Sequence, residues 1–207
     1  MDEKTLDKTD YCPESQEHFQ GQAYKKIDYS KPDNASSSGE NEDISPKEKW
    51  SPNKYSPTFD KSVSVFDVAA YILSKKGQMT TMKLQKLVYY CQAWSLVWDD
   101  KPLFKEDIEA WANGPVIRKL FAHHRGQFEI KNILTGNPDL LSKQQKETID
   151  AVLDYYGDKP SQWLIDLAHM EEPWKKTREG MTDLERGNKK IKLSLIVDYY
   201  SSLLLES

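Results

Sequence analysis

A mainly α-helical fold is predicted: a single compact domain of about six helices, with room for one short β element, preceded by a disordered N-terminal tail. Three observations predict it. Apolar residues between Val63 and Leu204 recur at steps of three and four; aliphatic density rises sharply near Val63; and only Leu103 to Trp111 alternates in a way that suits a strand.

Val65, Phe66, Val68, Ala69, Ile72 and Leu73 predict a first helix ending near Gly77, a residue suited to the left-handed position after a helix. Thr80 or Thr81 can cap the second helix, Thr81 to Trp98, whose residues Leu84, Leu87, Val88, Cys91, Trp94 and Trp98 share one face. Asp99-Asp100-Lys101-Pro102 stops that helix, and Phe104, Ile108 and Ala110 admit a short strand or an extended loop. Asn113-Gly114-Pro115 forces a turn, and the fixed φ of Pro115 suits the first turn of a third helix, Val116 to His124. Ser142 caps Lys143 to Tyr156, with Ile149, Val152, Leu153 and Tyr156 inward. Pro160 opens a further helix that breaks at Pro173, and a last one starts near Leu193.

The division into a tail over 1–60 and a domain over 61–207 rests on composition. From Met1 to Asp60 the only branched aliphatic residues are Leu6, Ile27 and Ile44, too few to offset the entropy of ordering that segment. Those sixty residues carry 8 Lys and Arg against 13 Asp and Glu, whereas the remainder carries 21 against 20. A near-neutral domain behind an acidic tail gives no electrostatic reason to expect nucleic acid, because such affinity comes mainly from phosphate neutralisation. Cys12 and Cys91 fall in the tail and on a core face, so no structural disulfide is expected and a reducing cytosol fits. Neither a signal-peptide core after Met1 nor a membrane-spanning apolar run is present, so a soluble cytoplasmic protein is expected.

No catalytic constellation emerges, and neither an enzyme, a metal nor a cofactor is expected. His123 and His124 are adjacent, which on a helix turns them about 100° apart, unlike a ligating i, i+4 pair. His169 with Glu171 resembles the His-x-Glu of zinc deaminases, but the Pro-Cys-x-x-Cys partner is missing. The reading of His169 is then a histidine fixing local hydrogen bonds at a helix end. Cys91 reads as core packing, and the glycines form no nucleotide-binding pattern. Arg118-Lys119 with His123-His124-Arg125, Lys175-Lys176-Arg178 and Lys189-Lys190-Lys192 read as solvated surface, with a docking patch for an acidic partner as the alternative. The first two helices could mimic a helix-turn-helix through Lys83 and Lys86, although the aromatic second helix leaves little polar face for bases. Adjacent tyrosines such as Tyr89-Tyr90 and Tyr199-Tyr200 are expected not to face inward together. Exposed aromatic surface follows from that, favouring a binding module over an enzyme.

Lys83-Leu84-Gln85-Lys86-Leu87-Val88-Tyr89-Tyr90, then Glu109-Ala110-Trp111 with Gly114-Pro115-Val116, then His169 to Trp174 resemble, in that order, the Panacea domain of SocA-like antitoxins. The resemblance spans about Ser64 to Leu204. It implies a mainly helical protein that binds and neutralises a cognate protein toxin, usually encoded adjacently, by direct complex formation or by presenting it to a protease as a proteolytic adaptor. It also implies Lys83, Lys86, Trp111, Pro115, His169 and Trp174 as functionally important positions for partner binding. The alternative is a phage or mobile-element regulator that binds DNA or a host protein.

Overall fold

One helix runs through the middle of the molecule and the other elements are arranged around it. The computed structural model describes residues 63–182 and 185–205; the expected tail over 1–60, including Cys12, lies outside the described residues. The chain forms α1 (Val65–Lys76), β1 (Met79–Thr80), α2 (Thr81–Trp98), β2 (Ile108–Trp111), β3 (Gly114–Ile117), α3 (Arg118–His124), β4 (Glu129–Ile130), a 3-10 turn (Pro138–Leu140), α4 (Lys143–Tyr156), α5 (Ser161–Met170), α6 (Glu172–Thr177) and α7 (Leu193–Leu205). The fold is thus mainly α, with seven α-helices among the described residues rather than about six.

Local signals set the helix ends. The Ser64 backbone N–H donates to the Asp67 carboxylate at 2.7 Å, and the same buried carboxylate accepts from the Asn137 N–H, which pins the 3-10 turn to the start of α1. The Thr80 hydroxyl accepts from the Lys83 N–H at 3.2 Å, and Ser142 with Gln145 forms a reciprocal capping box at the start of α4. Gly77 follows α1 at φ 75°.

α2 departs from the single-face expectation. Every residue from Leu84 to Leu96 is buried, because α1, α4, α5, α7 and β3 surround the helix. Tyr89 and Tyr90 are both fully buried, which corrects the expectation that adjacent tyrosines cannot both face inward. With partners all round the helix, Tyr90 stacks on Tyr156 at 4.3 Å between ring centroids, while Tyr89 lies edge-on to Tyr200 at 6.4 Å. Tyr200 is likewise buried and Tyr199 half-buried against the core, so the expected excess of exposed aromatic surface is not formed by these residues.

Two other boundaries differ. Val116 and Ile117 belong to β3, not to a helix, and Pro115 lies inside that strand: β2 and β3 form an antiparallel hairpin with Ile108 opposite Ile117 and Trp111 opposite Gly114. A helix-like apolar step cannot be told from a buried strand in so short a run, and here strand pairing won. Pro173 does not break a helix. It sits in the first turn of α6, where a missing N–H costs nothing, and the true break is at Glu171 in extended backbone.

Candidate functional site

The polar residues of the first sequence block point inward and hold the β2–β3 hairpin against α2. Gln85 accepts from the Ile117 N–H at 2.8 Å and donates to the Ile117 carbonyl at 3.4 Å, with its amide 2.9 Å from His124 Nε2. At the next position, the Lys86 Nζ donates to the Pro115 carbonyl at 2.9 Å. Gln92 repeats the device on the segment after α2: its Oε1 accepts from the Leu103 and Phe104 N–H groups and its Nε2 donates to the Phe104 carbonyl. All three side chains are buried, so each satisfies backbone groups that water does not reach.

Lys86 approaches the hairpin where Gly114 has no side chain, at φ 93°. On its other side lies Glu171, fully buried, whose carboxylate accepts from the Tyr200 hydroxyl at 2.9 Å. Burial pushes the Lys86 ammonium down to about 7, with Glu171 pulling the other way. Burial also lifts the Glu171 carboxyl to about 8, opposed by the Tyr200 and Tyr90 hydroxyls and by Lys86. Each group is thereby driven toward its neutral form near neutral pH, although neither reaches solvent. The arrangement is a structural linchpin joining α2, the hairpin, the α5–α6 corner and α7.

A second layer connects the hairpin to α6. Trp174 donates from Nε1 to the Trp111 carbonyl at 2.9 Å and stacks on His169 at 4.2 Å between ring centroids. Trp111 in turn donates to Glu109 Oε2 at 2.8 Å, and Glu109 lies 3.8 Å from Arg118. Arg178, buried, donates to the carbonyls of Ala110, Thr182 and Glu185, which corrects its reading as solvated surface. Burial holds the His169 imidazole below its usual range, helped by the Lys86 charge and opposed by a hydrogen bond to the Ala112 backbone. The Lys189–Ile191 segment completes the layer as a short third strand-like edge: Ala110 N–H donates to the Lys189 carbonyl and Ile191 N–H to the Ile108 carbonyl.

Of the residues singled out in the sequence, Lys86, Trp111, Pro115, His169 and Trp174 come together around this hairpin. Lys83 does not: it is half-buried at the start of α2, where burial lowers its ammonium and Asp158 offsets the effect. Because Lys86 is internal and α2 is covered over Leu84–Leu96, the second helix offers no face to a DNA groove, unlike the helix-turn-helix reading. Glu171, Tyr200, Gln85, Gln92 and Arg178 are not among the partner-binding positions that the resemblance implies. Only Gln92, between Cys91 and Ala93, has apolar residues on both sides in the sequence; the other four carry no such local signal.

Beside the hairpin opens a cleft of about 920 Å³ whose floor includes Trp111, Val116 and Phe121 and whose sides carry Arg118, Arg125 and Arg186. Trp111 and Phe121 meet edge-to-face at 4.8 Å between ring centroids. Burial lowers the His124 imidazole below its usual range, opposed by a backbone hydrogen bond. No cluster of metal-ligating side chains occurs among the described residues, and no helix among them is long and apolar enough to cross a membrane. Cys91 is buried, and its thiol is pushed up by desolvation.

Residues 84–175 match the family model described as "Antitoxin SocA-like, Panacea domain". Comparison with curated proteins and with solved structures returns no match. The matched stretch starts in α2, spans the hairpin with Lys86 and Trp111, and ends in α6 just beyond Trp174; Arg178, the Lys189–Ile191 edge and Tyr200 lie beyond it. By this match, the part of the chain built on α2, the β2–β3 hairpin and the α5–α6 corner is similar to the Panacea domain of SocA-like antitoxins.

Proposed function

We propose that the chain acts as an antitoxin by binding a cognate protein toxin through the surface around the β2–β3 hairpin, without catalysing a reaction. The observation that carries this reading is the family match over residues 84–175, which coincides with the elements that rigidify the hairpin and frame the neighbouring cleft. A frame tied together by buried side chains presents its outer face with little ordering cost on binding, as a binding module requires. The titratable pair at its heart supports the non-enzymatic reading, since Lys86 and Glu171 are sealed from any substrate.

Neutralisation is proposed to occur by direct complex formation, with delivery of the bound toxin to a protease as the adaptor variant of the same contact. Co-expression with the open reading frame encoded beside this chain tests the reading: growth rescue together with co-purification supports it. If the neighbour is not toxic and forms no complex, the antitoxin reading falls. Persistence of toxin in the rescued cells distinguishes occlusion from proteolytic delivery, in which the toxin disappears.

A further inference from the structure

We propose that the cleft beside the hairpin receives an acidic segment of the partner protein carrying an aromatic or long aliphatic side chain among its carboxylates. This rests on the antitoxin reading and names the chemistry of the contact. The cleft is lined largely by apolar surface from Trp111, Val116 and Phe121, yet its sides carry three arginines from two separate stretches of chain. Its one lining carboxylate, Glu109, is already engaged by the Trp111 indole N–H and lies 3.8 Å from Arg118. Arg125 and Arg186 are exposed, and neither meets a carboxylate within ion-pair distance among the described residues.

An apolar floor flanked by guanidinium groups, two of which meet no carboxylate among the described residues, is complementary to an amphipathic acidic strand or turn, whose side chain fills the floor while its carboxylates meet the rim. A residue lining the cleft is also tied to an exposed apolar one. Thr81, which lines one end, donates its N–H to the Phe128 carbonyl at 2.9 Å, and the Phe128 ring is 78% exposed. An apolar lining with arginines from separate stretches of chain fits a peptide better than a phosphate group, which calls for donors converging on one point.

The test uses the full chain and two synthetic peptides that alternate phenylalanine with glutamate or with lysine, with a single-stranded oligonucleotide as a third probe. Binding is read from Trp fluorescence and calorimetry. The acidic peptide is expected to bind and the basic one not, with affinity falling about tenfold or more in Arg125→Glu/Arg186→Glu. Ala122→Trp, which places a large ring from an exposed wall position into the cleft, is expected to block binding while leaving the circular dichroism spectrum unchanged. Equal binding of both peptides, no binding of the acidic one, tighter binding of the oligonucleotide, or indifference to both variants would each overturn the proposal. The same variants in the co-expression assay separate the two readings: rescue by wild type and by both variants sinks the cleft alone, whereas peptide binding without any toxic neighbour sinks only the antitoxin reading.

Discussion

Gly114 sits directly over the end of Lys86: a Cβ placed on Gly114 would lie 2.6 Å from the Lys86 Nζ and 3.0 Å from its Cε. The contact explains why a glycine precedes Pro115 in the hairpin. It lets the only hydrogen bond from a buried ammonium to the strand form, and it supplies the φ of 93° that the turn needs.

Gly114→Ala is therefore expected to destabilise the fold by about 1–3 kcal/mol, from backbone strain together with displacement of Lys86. Urea unfolding at constant m value measures it. A loss within a few tenths of a kcal/mol would show that the turn relaxes freely and that the Lys86 contact is not tight.

Stability should pass through a shallow minimum near pH 7–8 on account of the buried pair. Glu171 has its folded pKa raised to about 8, so its contribution is full below the ordinary carboxyl range and is lost as pH rises through 8. Lys86 has its folded pKa lowered to about 7, so its contribution is full above the ordinary lysine range and is lost as pH falls through 7. The double variant Lys86→Met/Glu171→Gln removes both titrations. Subtracting its pH profile of unfolding free energy from that of the wild type exposes the minimum, and a flat difference would contradict the opposed shifts.

Gln92→Leu keeps the volume of the side chain but strands the Leu103 and Phe104 N–H groups. A cost of about 2–4 kcal/mol is expected for two buried donors left unpaired. Hydrogen exchange at those two amides should accelerate more than at the α4 amides, which gives a local readout that a general loss of stability would not.

Trp174→Phe preserves an aromatic ring against His169 and removes only the indole donor to the Trp111 carbonyl at 2.9 Å. About 1 kcal/mol of stability should be lost. If the hairpin surface binds the partner, the dissociation rate of the complex should rise as well, measured by surface plasmon resonance against the wild-type chain.

In a Cys12→Ser background, Cys91 should react with an aromatic disulfide reagent only as fast as the protein opens. Its side chain is fully buried and its thiol is held protonated by desolvation. Reaction at the rate of a free thiol in native buffer would show that α2 is not enclosed as described.

The helices whose boundaries were legible, Val65–Lys76, Thr81–Trp98, Lys143–Tyr156 and Leu193–Leu205, have strong caps or long apolar periods, and these are local properties of the chain. The residue blocks around Lys86, Trp111 and His169 were likewise visible as a resemblance. What escaped was the direction in which polar side chains point. Periodicity assigns Gln85, Lys86, Gln92 and Arg178 to solvent because a polar group is cheap there, yet each is buried where a hairpin or loop backbone arrives unpaired from a distant part of the chain.

By itself, then, the sequence determined a mainly helical domain, the positions of its principal helices and its family resemblance, since propensity, capping and apolar spacing act over a few residues. Only the tertiary structure decided that Pro115 lies in a strand, that Tyr89 and Tyr90 can both be internal, and that Lys86 meets Pro115 on one side with Glu171 beyond. The strand depends on pairing with β2 across a turn, and the other outcomes on groups 29 or more residues apart meeting in a space closed to water.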